Sequence, residues 1–136
     1  MSDHAESVVR DYYDALRDGD PLVPYFRDDD PTVKFGISES LFGGREVAAA
    51  LEAQTETTTD WSIESRRLVV DERDGFATFA DEVAMAWMDT ESGERRRFDS
   101  RWSGTLIERA AADGAAAADG PRWQFAVMHV SAPHEL

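Results

Sequence analysis

The 136-residue chain contains no cysteine, a single lysine and five prolines, and no apolar run approaches the roughly 20 residues that a membrane-spanning helix needs. Without cysteine, disulfides, thiolate zinc sites and cysteine nucleophiles are excluded together. The same absence fits a reducing compartment. The opening Met1-Ser-Asp-His-Ala-Glu6 has no basic region followed by an apolar stretch, so a cytoplasmic protein with no membrane partner is expected.

Positive charge is also scarce. Fourteen Lys and Arg stand against 28 Asp and Glu, for a formal net charge of -14. Such a balance repels phosphate backbones, so nucleic acid is not an expected partner. Of the basic residues only Lys34 is a lysine. An acidic surface that keeps arginine but nearly loses lysine is what a very salty, halophilic cytosol favours, because screening there removes most self-repulsion. The longest acidic run is Asp28 to Asp30, too short to be a block built for a basic protein, and it lacks the spaced ligands and glycine of a calcium loop. No Gly-x-Gly-x-x-Gly, P-loop or nucleophile elbow is present; Gly36-Ile-Ser-Glu-Ser40 fails at its last position. Neither a metal nor a cofactor is therefore expected.

What is present reads as one α+β domain over residues 1–136, a length that buries about two thirds of the unfolded chain's surface. Asp3 and Glu6 can cap a helix that carries Val8, Val9, Tyr12, Tyr13 and Leu16 on one side and stops at Gly19. Asp20-Pro21 can start a short second helix with Leu22, Tyr25 and Phe26. Thr32 to Ile37 looks like a strand, and Arg45 to about Glu56 repeats Val47, Ala50, Leu51 and Gln54 at helical spacing. From Trp61 the period becomes alternating, over Trp61–Val70, Phe76–Met88, Glu94–Arg109 and Arg122–Ala132. Asp74-Gly75 and Glu91-Ser-Gly93 are hairpin turns, and Ala110 to Pro121 is a low-complexity loop. Three helices on the concave face of one strongly curved, mostly antiparallel sheet are expected, with the last three strands in sequential order.

Two closing strands carry the candidate site. An unpaired buried guanidinium costs about several kcal/mol, so Arg101, set among Phe98, Trp102 and Leu106, is expected to have an acid or a ligand as partner. In the Phe76–Met88 strand, Phe79, Asp81, Val83, Met85 and Trp87 share one face. Asp81 and Arg101 could then face one cavity, as a poised carboxylate base beside a cationic anchor or as a structural ion pair. His129 lies between Met128 and Val130 and, by alternation, points away from them. With Trp123, Phe125 and Val127 it is expected on an apolar outer face that forms a homodimer. Trp61, Trp87, Trp102 and Trp123 could be a flat-ligand box or core, and Arg95 to Arg97 read as a solvated edge.

In their order, Tyr13, Gly19-Asp20, Tyr25-Phe26, Phe35-Gly36, Leu41-Phe42-Gly43-Gly44-Arg45-Glu46 and the two closing strands resemble the SnoaL-like branch of the nuclear-transport-factor-2-like superfamily. The tail from Trp123 to Pro133, after Ser100-Arg101-Trp102, is similar to the association domain of calcium/calmodulin-dependent kinase II in the same superfamily. The resemblance implies a cone-shaped, cystatin-like half barrel with a pocket at its wide end, commonly dimeric. It implies a pocket arginine at Arg101 and a pocket row at Phe79, Asp81, Val83, Met85 and Trp87, whereas the arginines that accompany the first fall on Val83 and Val130. The expected protein binds a small organic molecule, anionic or carbonyl-bearing, with Asp81 as catalytic base and Arg101, Trp87, Met85, Phe79 and Met128 as binding residues. Isomerase, cyclase or dehydratase chemistry would follow; the alternative is a non-catalytic assembly module.

Overall fold

A computed structural model describes residues 4–109 and 120–134. The elements are helix α1 (Ala5–Asp18), a 3-10 turn (Val23–Tyr25), strands β1 (Val33–Gly36) and β2 (Glu39–Phe42), helix α2 (Gly44–Thr57), and strands β3 (Thr58–Ser65), β4 (Val69–Glu72), β5 (Phe76–Asp89), β6 (Arg95–Glu108) and β7 (Trp123–Ser131). The strands form one curved mixed sheet in the order β2-β1-β7-β6-β5-β3, with β4 also pairing β5. All neighbours are antiparallel except β1 with β7. The expected loop over Ala110 to Pro121 lies, but for its last two residues, outside the described residues, as does the Asp3 cap.

Helix α1 buries Val8, Val9, Tyr12, Tyr13, Ala15 and Leu16, the i, i+3, i+4 pattern of one apolar face. Its first N–H is satisfied from afar, by Glu72 Oε1 at 2.7 Å from the Ala5 nitrogen. Gly19 ends it in the left-handed region (φ 72°), with its N–H and that of Asp20 returning to the last carbonyls. The expected second helix is only a three-residue 3-10 turn. Pro24 sits inside it, and Phe26 already extends to bridge Phe125, so the described residues hold two α-helices and not the three expected.

Three departures in the sheet shape the site. Ile37 and Ser38 form a tight turn, Ser38 at φ 71°, that folds an additional strand, β2, back on β1 beyond the expected Thr32–Ile37 strand. The expected Trp61–Val70 strand is two strands: β3 pairs β5 from Val83 to Asp89 and β4 pairs it from Ala77 to Ala80, with the break opposite Asp81 and Glu82. A bulge at Ala126 on β7 resets alternation, since Thr105 faces Val127 while Leu106 faces Phe125. Trp123 and Phe125 consequently turn inward with Met128 and Val130, all buried, and only Val127 and His129 of the expected outer row face out. Gly104 accommodates the close approach here, because a methyl group on it would overlap the Val127 carbonyl oxygen.

Candidate active site

The cavity between the helices and the inner face of the sheet is about 190 Å³ and is lined by both helices and by β1, β2, β3, β5, β6 and β7. Its aromatic wall begins at β3. Asp60, at φ 53°, sits in a bulge of the β3–β5 pairing, next to Trp61, which stacks on Trp87 at 4.7 Å between ring centroids. Trp61 Nε1 donates to Thr58 Oγ1 at 2.8 Å, and Thr58 Oγ1 donates to the Gln54 carbonyl at 2.6 Å, so the end of α2 fixes the indole. Trp87 in turn stacks on Phe98 at 5.6 Å. Trp102 is held by its own chain of bonds, Nε1 to Ser100 Oγ and Ser100 Oγ to the Val83 carbonyl. Met85, Leu16, Ile37 and Val130 complete the apolar surface.

Opposite this wall the polar groups converge. Lys34 is 6% exposed and its Nζ donates to Glu39 Oε1 at 2.8 Å. An ammonium carries three donors, and among the described residues Glu39 is the only acceptor found for them. The turn at Ile37-Ser38 brings the two together across β1 and β2. Gly36 leaves the room, because a Cβ there would lie 2.6 Å from Glu39 Oε1. Glu39 keeps about two fifths of its side chain exposed and lines the cavity beside Lys34. Tyr12, 1% exposed, also lines the cavity, and no hydrogen bond is found for its hydroxyl among the described residues. Burial first, and the Glu39 charge second, raise its pKa above the ordinary tyrosine range, so at neutral pH it is a hydrogen-bond donor.

The expected site residues fall in different places. Met85 and Trp87 line the cavity. Phe79 and Met128 are 3% and 0% exposed in the core, Phe79 packing on Phe125. Asp81 pairs in register with Trp102 and faces inward at 4% exposure, but not into the cavity: it accepts from Tyr13 Oη (2.9 Å), Ser65 Oγ (2.6 Å) and the Arg67 nitrogen (2.9 Å). Burial and this carboxylate together raise the Tyr13 pKa. Arg101 pairs with Glu82 instead, so alternation puts it on the other face, exposed to water beside Glu82, Ser103, His129 and Ser131. Asp81 and Arg101 border one outer groove, but among the described residues no hydrogen bond or ion pair joins them, and the Asp81 carboxylate is taken by its three donors. The guanidinium avoids the cost of burial by facing solvent, and the inner row of β6 is Phe98, Ser100, Trp102, Gly104 and Leu106. Lys34, Glu39 and Tyr12 were not singled out from the sequence as site residues. The available signal was the lone lysine, set between Val33 and Phe35 in an apolar strand.

No protein-family model matches the sequence, and no curated protein matches it significantly. Solved structures do match over nearly the whole chain. A ketosteroid isomerase-like protein from Erwinia carotovora atroseptica is 18% identical, covering 96% of this chain and 94% of that one, with a TM-score of 0.71. A nuclear transport factor 2-like superfamily protein from Salmonella enterica serovar Typhimurium is 13% identical over 95% and 88%, with a TM-score of 0.76. A protein from Novosphingobium aromaticivorans named for scytalone dehydratase is 14% identical over 95% and 81%, with a TM-score of 0.74. Others are named for the association domain of calcium/calmodulin-dependent kinase II. The chain thus has the nuclear-transport-factor-2-like fold.

Proposed function

We propose that the protein binds a small, planar, uncharged carbonyl compound in this cavity and transfers a proton at the carbon next to the carbonyl. The observation that carries the reading is the Lys34–Glu39 pair at the edge of a largely apolar, tryptophan-lined cavity. Lys34 and the Tyr12 hydroxyl supply donors for a carbonyl oxygen, and Glu39 is the carboxylate within reach of the same space. A cavity of about 150 Å³ holds benzene, so 190 Å³ suits one ring with a short substituent. The stacked Trp61 and Trp87 favour a flat ligand. Because Glu39 already neutralises Lys34, a neutral ligand fits better than an anion. Solved proteins of the fold are named for isomerase and dehydratase chemistry, which agrees with proton transfer. Protein uniformly unlabelled except at lysine tests the reading: acetophenone or benzamide should shift the one lysine signal, and an unmoved signal counts against it.

Self-association is a second, compatible reading, favoured by the outer face. Phe42 is 60% and Val127 38% exposed there, and Phe35 packs edge-on against both Phe42 and His129. A homodimer through this face would cover the patch. Its mass at micromolar concentration in high salt should be that of two chains and should halve in Phe42→Asp; a monomeric parent protein would refute it.

A further inference from the structure

Lys34 has a property that hydrogen bonding to a ligand does not use. The chain has 14 basic residues, 13 of them arginine, and none of the arginines lines the cavity. The one lysine does. Arginine serves at least as well as lysine wherever a fixed positive charge is wanted, but it does not give up its proton, whereas a desolvated lysine can act as a nucleophile. A charge-only role at position 34 would not explain why lysine is retained here and nowhere else.

We infer that Lys34 is a carbonyl-capturing amine, which forms a reversible iminium with a small aldehyde or ketone bound in the cavity. This rests on the reading of the cavity as a site for carbonyl compounds and adds the bond. Glu39 Oε1, 2.8 Å from Nζ, takes one proton from the ammonium and frees the nitrogen lone pair. The lone pair attacks the carbonyl carbon, and the C=O π electrons move to oxygen, toward the neutral Tyr12 hydroxyl. A second nitrogen proton passes to that oxygen, giving a neutral carbinolamine. Glu39 then returns its proton to the carbinolamine hydroxyl, which leaves as water while the nitrogen lone pair closes the C=N bond. The products are a protonated iminium, water and the Glu39 carboxylate. Charge is conserved at each end: a cation paired with Glu39 before the reaction is a cation paired with Glu39 after it. The buried site never holds an uncompensated charge. An iminium also withdraws electrons from the adjacent carbon more strongly than a carbonyl, which is what proton removal there requires.

The lone lysine makes the test clean. The protein is incubated with benzaldehyde and cyanoborohydride, which reduces an iminium to a stable benzylamine, and the adduct is located by peptide mass mapping; the α-amino group is the internal reference. Tryptophan fluorescence follows occupancy of the cavity in the same samples. Lys34 should be benzylated faster than the α-amino group, and Glu39→Gln should slow its benzylation by about a hundredfold, the usual worth of a general base. Lys34→Arg, which keeps the charge but has no amine to condense, should lose the adduct. Quenching of the parent protein without a Lys34 adduct would overturn the iminium and leave the binding reading standing. Neither quenching nor adduct would overturn both.

Discussion

Replacing Glu39 with alanine is expected to destabilise the protein by about 3 kcal/mol, the low end of what it costs to strand one member of a buried ion pair. For a domain of this size that is a fall in Tm on the order of 10 °C. The low end applies because water reaches Glu39, whose side chain is 38% exposed, so the pair is partly screened. Lys34→Met should cost less than about 1 kcal/mol, because it removes the member that is 7% exposed and leaves a carboxylate that can turn to solvent. The asymmetry distinguishes a buried ammonium from an ordinary surface pair, which would lose little either way. Urea unfolding of the two variants at high salt, where the repulsion of a -14 chain is screened, measures it. Equal costs would mean that Lys34 is as hydrated as its partner.

Asp81→Ala should be at least as damaging, for a different reason. Its carboxylate sits opposite the break between β3 and β4 and accepts from three donors on three segments: α1, the end of β3 and the connection that follows. Each buried donor left without an acceptor costs about 1 to 3 kcal/mol, and because the three share one acceptor their costs do not add in full; about 3 kcal/mol is expected. Asp81→Asn keeps one acceptor oxygen, and both hydroxyl donors can turn to accept from its amide, so it should lose markedly less. Thermal unfolding compares the two. If both variants kept the parent Tm but lost turnover of a carbonyl substrate, Asp81 would be the base suggested by its strand position rather than the clasp described here.

The long strands were legible because their alternation is unbroken and their turns are marked, by Gly75 and Gly93 in the left-handed region. Helix α1 was legible from its apolar stripe. What escaped depended on single residues with two roles. Asp81 has the sequence position of a pocket acid, and only the split of β3 from β4, which its hydrogen bonds hold in place, shows why it is there. Ala126 carries no sign of a bulge, yet one extra residue moves Trp123 and Phe125 from the outer face to the core. Arg101 lies in a strand whose two rows are both partly apolar, so its side of the sheet was fixed only by the pairing of Glu82 with it and of Asp81 with Trp102. Lys34 and Glu39 are five residues apart in a hairpin whose turn, Ile37-Ser38, lacks the usual glycine or asparagine. Their pairing could not be read from spacing alone.

The central claim is that ligand meets protein at Lys34 and not at Arg101 on the opposite face. The most direct measurement uses protein labelled at its one lysine and, separately, at its arginines, titrated with acetophenone and with benzamide at high salt. The Lys34 signal should move in proportion to occupancy while the Arg101 signal stays still, and Lys34→Met should weaken the affinity by about tenfold, the worth of one charge-assisted hydrogen bond. A Lys34 signal that stays fixed while Arg101 shifts would put the site on the outer face and contradict the account.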